Sequence, residues 1–160
     1  MGYIFDTNIF IRSKNEMPME IWPTFWTTLA DLINSGKVYS NVNVREEINK
    51  GRDELTTWMK ANAPKYFYIQ NDNDVMQKYA EVINWASSNP VFTQVARDDF
   101  AKIADAYLVA ASAAKNMTLV TNEISNPQCK RRVKIPDACE ALNVRYCNLN
   151  QVFRELGIKI

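Results

Sequence analysis

Histidine is missing altogether from this 160-residue chain. That removes Ser-His-Asp and Cys-His nucleophilic catalysis, His-ligated zinc and imidazole acid–base chemistry. Any chemistry must run on carboxylates, hydroxyls, lysines, thiols or a hard metal ion. Cysteine is scarce. Cys129, Cys139 and Cys147 are odd in number and lack a C-x-x-C spacing, which argues against a zinc cluster and fits idle thiols in a reducing compartment. No apolar run approaches the roughly 20 residues of a membrane span. The chain opens on a strand carrying an acid, without the basic segment of a secretory leader, so a cytoplasmic location and no membrane partner are expected. Neither sign of charge dominates: the net charge is +1, so any nucleic-acid surface must be a local patch. Repeats, low-complexity tracts and linkers are absent as well. What is present is 47% apolar and 23% charged residues, the balance of one globular domain over residues 1–160.

The first stretch, Gly2 to Ile11, sets the pattern. A short apolar run, Tyr3-Ile4-Phe5, stops at a carboxylate, Asp6, and Thr7 and Asn8 precede another apolar turn. In open α/β sheets ligands bind outside the carboxyl ends of the strands, which places Asp6 well for chemistry. Asp6 or Asn8 can equally serve as the N-cap of the helix that follows from about Asn8. Lys14 to Met19 reads as a loop. Trp22, Phe25, Trp26, Leu29, Leu32 and Ile33 recur at helical spacing, as a core-facing stripe, with Gly36 placed to end that helix in the left-handed region. Val38 to Ser40 is a second strand, and Asn41 or Asn43 caps a helix over Val44 to Lys50. Asp53 to Asn62 is helical, with Leu55, Trp58 and Met59 inward. Tyr66 to Ile69 reads as a third strand. Asn71 to Asp74 caps a helix from Val75 to Ser87 whose apolar face is Met76, Tyr79, Val82, Ile83 and Ala86. After Asn89-Pro90, one Ala-rich helix runs from Asp98 or Asp99 to Lys115. Strands follow over Met117 to Thr121 and Val144 to Cys147, with helices over Pro136 to Leu142 and Gln151 to Leu156, the last stopped by Gly157. Strands alternating with helices indicate a mostly parallel sheet covered on both sides.

Acids recur in corresponding places. Glu46 and Glu47 follow the second strand, Asp105 sits in the Ala-rich helix, and Glu123 follows Leu119-Val120-Thr121-Asn122. Asp is a mediocre helix former, and among Ile103, Ala104, Ala106, Leu108 and Val109 a carboxylate needs a partner, either a salt bridge or a metal. Carboxylates brought together repel unless a cation lies among them, and Mg²⁺ or Mn²⁺ prefers such oxygen ligands. A site of that kind activates water and clamps phosphodiester oxygens, giving hydrolysis without histidine. The basic run Lys130-Arg131-Arg132 with Lys134 can hold phosphates near the acids, or be a solvated loop face.

In order and spacing, Ile4-Phe5-Asp6-Thr7-Asn8, Val44-Arg45-Glu46-Glu47-Ile48, Ala104-Asp105-Ala106-Tyr107-Leu108-Val109-Ala110 and Leu119-Val120-Thr121-Asn122-Glu123 resemble the blocks of PIN-domain nucleases, over nearly the whole chain. Members of this size resemble VapC-type toxins of toxin–antitoxin pairs. Lys134-Ile135-Pro136-Asp137-Ala138-Cys139 resembles a branch of stand-alone PIN proteins. The resemblance implies a three-layer α/β/α fold with a central parallel sheet of four or five strands. It implies Mg²⁺- or Mn²⁺-dependent cleavage of RNA to a 5′-phosphate and a 3′-hydroxyl. Carried over by position, Asp6, Asp105 and Glu123 are the metal acids, and Glu47, with Glu46 as fallback, completes the catalytic set as ligand or proton acceptor. Asn8, Thr121 and Asn122 support them. The family's fourth acid is usually Asp, and this chain has Asn122-Glu123 there. Asp98 and Asp99 are further acids within reach, and Asp137 can be a first-turn helix acid. Lys130, Arg131, Arg132 and Lys134 are the candidate RNA contacts. An antitoxin or a homodimer partner would use apolar surface such as Trp22, Trp26 or Trp58.

Two other readings use the same residues. Phosphatases of the haloacid-dehalogenase type also begin with a strand ending in Asp, but carry Asp-x-Asp where this chain has Asn8, and need room for a cap domain. A catalytically silent PIN-like module binding RNA or protein would keep the fold and lose turnover.

Overall fold

A computed structural model describes residues 2–160. Each short apolar run forms a strand: β1 (Tyr3–Phe5), β2 (Val38–Asn41), β3 (Tyr68–Ile69), β4 (Thr118–Val120) and β5 (Tyr146–Cys147). They make one sheet in the order β3-β2-β1-β4-β5, with every neighbouring pair parallel. In the centre, Ile4 lies beside Tyr39 on one side and Leu119 on the other. Ile4, Phe5, Leu119 and Val120 are fully buried, the unbroken apolar run of strands covered on both faces. The covering helices are α1 (Thr7–Glu16), α2 (Pro23–Ile33), α3 (Val42–Gly51), α4 (Glu54–Asn62), α5 (Asn73–Ser88), α6 (Gln94–Lys102), α7 (Ala104–Lys115), α8 (Ile135–Ala141) and α9 (Leu149–Leu156). This is the three-layer α/β/α, PIN-like arrangement.

The strand order fixes where a ligand belongs. The chain steps outward from β1 to β2 and β3, then crosses back to β4 and β5 on the other side. The crevice between the carboxyl ends of β1 and β4 is therefore the topological switch point. α7 runs beneath it, packed on α5, α8 and the central strands. Ala104, Ala106, Leu108, Val109, Ala110 and Ala111 are all buried, and the small side chains let the helix lie close to its neighbours.

Several boundaries differ from the sequence expectation. α1 continues to Glu16 through Lys14, because this polar turn faces solvent and an Arg12–Glu16 pair at 2.6 Å holds it. Asn41, rather than Asn43, caps α3 by accepting the Asn43 N–H at 2.7 Å. Lys65–Phe67 is a 3₁₀ turn, leaving only Tyr68 and Ile69 to pair with β2. On α5 Val75 takes the buried place expected for Met76, which is exposed. α2 ends at Ile33 with Asn34 as its C-cap, so Gly36 makes the turn beyond the helix, while Gly157 caps α9 in the left-handed region as expected. The expected single Ala-rich helix is two: α6 and α7 are separated by Ile103 in extended conformation. Among the described residues, no helix is long and apolar enough to cross a membrane.

The aromatic stripe is core at Phe25 and Trp26. The Trp26 ring meets Trp58 edge-on at 4.9 Å, so this pair is packed together rather than offered outward. Trp22 is 48% exposed.

Candidate active site

Asp6 is the first residue past β1, in extended conformation and only 1% exposed. One carboxylate oxygen, Oδ1, accepts the Asn8 N–H at 3.4 Å, which makes Asp6 the N-cap of α1. The other, Oδ2, accepts the Thr121 hydroxyl at 3.1 Å. Asp6 thus caps α1 with one oxygen and holds the Thr121 hydroxyl with the other. Thr121 is the first residue past β4, and its Oγ1 also accepts the Glu123 N–H at 3.1 Å, turning the chain so that Glu123 follows. Asn8 contributes its backbone here, and its side chain is exposed. Asn122 lines an adjoining groove of about 840 Å³ with Glu123, Asn148, Asn150 and Arg12.

Asp105 sits in the first turn of α7, 6% exposed. Its Oδ2 is buried with no hydrogen-bond partner. The Arg132 guanidinium lies 3.6 Å from that oxygen, an ion-pair distance too long for a hydrogen bond, and 3.3 Å from Glu123 Oε2. Glu123 Oε1 accepts the Ile135 N–H at 3.4 Å, at the start of α8. On α3, Val44 and Ile48 are buried, and Glu47 shares their face, while Glu46 is exposed. Both Glu47 oxygens are in use: Oε2 accepts the Thr7 hydroxyl at 2.8 Å and Oε1 the Ala104 N–H at 3.0 Å.

The four acids feel one another. Burial first, then the Glu123 carboxylate, push Asp6 up to about 6, against hydrogen bonds from Thr121 and Asn8 that favour its anion. Burial, then Asp6 and Glu123, push Asp105 up to about 8, with Arg132 pulling the other way. Near neutrality the isolated cluster therefore retains a proton that a cation would replace. Burial likewise raises the thiol of Cys139, close enough to sense Glu123.

The donor set is entirely hard oxygen, and one buried oxygen, Asp105 Oδ2, is orphaned, which fits a hard divalent cation. Among the described residues, no group of three or more acidic or cysteine side chains lies close enough together to hold a metal ion. Mg²⁺ does not need such a group: it binds through one or two carboxylates and keeps several waters.

Of the basic run, Arg132 joins the acids. Lys130 and Arg131 are exposed, Arg131 beside Asp99 and Lys102 in a second groove, and Lys134 is half-buried at the start of α8. Asp98 is exposed and bonded to Gln94. Asp137 is more than a helix-end acid: it accepts the Ser125 hydroxyl at 2.5 Å and the Asn126 N–H at 3.0 Å, tying down the loop after Glu123. Thr7, the Ala104 amide and the Asp137 clamp were not expected from sequence. Thr7 alone carried a signal, as a polar residue in the first turn beside Asp6.

A family model described as Domain of unknown function (DUF4411) matches residues 3–160, and the chain belongs to that family. Among curated proteins, none matches the sequence. Among solved structures the chain is similar to one in the crystal structure of VapBC2 from Rickettsia felis bound to a DNA fragment from their promoter. The TM-score is 0.58 at 16% identity, over 92% of this chain and 98% of that one. It is similar also to a chain in the structure of FitAB bound to the IR36 DNA fragment, with a TM-score of 0.54 at 17% identity, over 91% of this chain and 94% of that one. These are likenesses of fold.

Proposed function

We propose that this DUF4411 member is a metal-dependent ribonuclease that hydrolyses RNA phosphodiester bonds to a 5′-phosphate and a 3′-hydroxyl. The observation that carries the reading is the buried cluster of carboxylates at the switch point, with Asp105 Oδ2 lacking any hydrogen-bond donor. Asp6, Asp105 and Glu123 would hold Mg²⁺ or Mn²⁺, one or two of them directly and the rest through its retained waters, and the ion when bound supplies an acidified water and charge stabilisation at phosphate oxygens. The chain's own residues do the rest. Thr121 and the Asn8 amide fix the Asp6 carboxylate, and Thr121 also sets the backbone that brings Glu123 in. Arg132, 46% exposed at the rim, can turn from the acids to a phosphate oxygen. Lys130, Arg131 and Lys134 continue the positive side of the approach for an RNA backbone. The groove beside Glu123, lined by Asn122, Asn148 and Asn150, offers amides to flanking nucleotides.

An antitoxin partner is proposed on the strength of the two neighbours, VapBC2 and FitAB, and of exposed Ile21 and Trp22, which a protein partner would cover. A second reading, a silent binding module, draws on the Arg132 pairing and on the absence of such a close group among the described residues: Arg132 would then be the cluster's permanent cation.

The test is calorimetric titration of Mn²⁺ into chelator-treated protein and into Asp6→Asn, with an RNA cleavage assay on the same samples. Binding and cleavage that both vanish in the variant support the nuclease. Binding without cleavage across a broad RNA panel supports the silent module, and no binding with or without RNA rejects the metal site.

A further inference from the structure

We propose that Glu47 is a positioning residue: it caps the amino end of α7 from α3 and so fixes where Asp105 stands, leaving metal ligation to the other acids. The inference rests on the reading of Asp6 and Asp105 as metal-holding acids. It starts from the break at Ile103. α7 begins immediately after α6, and the residue at its N-cap position, Ile103, has no side-chain acceptor to offer. The first N–H groups of a helix have no partner inside it, and Ala104 is buried away from water. A buried, unpaired N–H is costly. Glu47 Oε1 supplies the missing acceptor from another helix, and its negative charge suits the positive end of the α7 dipole.

The other oxygen makes the device specific to the site. Thr7, which donates to Oε2, is the residue next to Asp6, and Ala104 is the residue next to Asp105. One side chain therefore spans the immediate neighbours of both acids. It sets the distance between the end of β1 and the start of α7. Asp105 Oδ2, by contrast, is left without a donor. The carboxylate with a donor on each oxygen holds the frame, and the one with an oxygen left over would be open to a cation.

Glu47→Gln and Glu47→Ala separate this role from ligation. Both remove the same charge. Only the Ala variant removes the hydrogen bonds, because the Gln carbonyl still accepts from Ala104 and its amide can donate to the Thr7 hydroxyl, which accepts as well as donates. Mn²⁺ titration of the parent and both variants is paired with NMR exchange of the Ala104 amide. The expected result is that Glu47→Gln keeps Ala104 protected and binds Mn²⁺ about tenfold or more tightly than Glu47→Ala, the usual scale for losing an outer support of a metal ligand. Equal Mn²⁺ affinity in the two variants would overturn the proposal, since a ligand loses its role in both. So would an Ala104 amide that exchanges equally fast in the parent and Glu47→Ala. Thr7→Val, should Glu47→Ala not fold, removes one of the two bonds and is expected to weaken Mn²⁺ binding; an unchanged affinity there also counts against it. If the parent itself takes up no Mn²⁺, the nuclease reading fails, while Ala104 exchange still decides the cap.

Discussion

Raising the pH of the metal-free protein presses directly on the acid cluster. In an unfolded chain both aspartates titrate near 3.8, whereas in the fold Asp6 titrates at about 6 and Asp105 at about 8. Between these values the native state holds protons that the unfolded state has released, so stability falls as pH rises. The raised groups contribute fully below about pH 4, and the contribution is lost as pH passes first the Asp6 and then the Asp105 value. From about pH 5 to about pH 8, Asp105 accounts for at most roughly 4 kcal/mol and Asp6 for about 1. Their mutual repulsion is a single interaction and water entry relieves part of the burial, so the expected loss is about 2–3 kcal/mol. For a domain of this size that lowers the melting temperature by about 5–10 °C. The chain has no histidine, and the carboxyls of Asp53, Asp72 and Glu155 are held low by Lys14, Lys115 and Arg145, so their contributions are complete well below this pH range. The assay is thermal unfolding by circular dichroism in chelator across that range, on the parent and on Asp105→Asn. Mn²⁺ at about a hundred times its Kd should return about 2.7 kcal/mol at the alkaline end. A parent that melts at the same temperature or higher on going from about pH 5 to about pH 8 in chelator refutes the reasoning, as does an Asp105→Asn variant with an undiminished slope.

Two further substitutions probe the surroundings of the cluster. Arg132→Gln removes the cation paired with Asp105 and Glu123. Without RNA it should bind Mn²⁺ more tightly than the parent, while RNA binding weakens and its logarithmic salt slope falls by about 1; calorimetry and a salt series of RNA binding check the two signs. Asp137→Ala releases the Ser125 hydroxyl and the Asn126 amide. It should cost about 1–3 kcal/mol in a urea melt and open the segment after Glu123 to limited proteolysis; an uncut segment at equal stability would make the clamp incidental.

Much of the fold was legible because parallel α/β architecture writes itself locally. The central strands β1 and β4 are short apolar runs, and most helices open on a residue that caps them, as Asp53 does for α4 and Asp72 for α5, while Trp22, Ile103 and Lys134 open α2, α7 and α8 without a side-chain cap. The break between α6 and α7 was not legible. Phe100, Ala104, Leu108 and Ala111 keep helical spacing straight through Ile103, so periodicity carries one helix across. The acceptor that meets the first N–H of the new helix lies 57 residues earlier in the chain, at Glu47. A local window holds no trace of a cap supplied by another helix. β3 failed for a related reason: Tyr66 and Phe67 have strand-forming side chains, yet β2 offers pairing only to Tyr68 and Ile69.

The site divides along the same line. Which of Glu46 and Glu47 faces inward follows from helix spacing, since residues three and four apart share a face and Val44 and Ile48 mark the buried one, whereas the family's pattern assigns Glu47 by position and leaves Glu46 as fallback. Glu47 lies three residues after Val44 and one before Ile48, and the exposed side falls to Glu46. What each acid does once inside was not readable, because it depends on which donors arrive from elsewhere. Three carboxylates receive two donors each, near or far in the chain: Thr121 and the Asn8 amide on Asp6, Thr7 and the Ala104 amide on Glu47, Arg132 and the Ile135 amide on Glu123. Asp105 Oδ2 is left with a guanidinium at 3.6 Å and no hydrogen bond. Hydrogen bonding to the anion lowers a carboxyl pKa and burial raises it. Asp6 is buried more deeply, yet Asp105, the acid with the fewest donors and with Asp6 and Glu123 beside it, is the one pushed furthest, up to about 8. The break at Ile103 puts Asp105 in the first turn of α7, where the helix dipole favours an acid, so the Ala-rich helix does not have to tolerate a poor helix former in its middle.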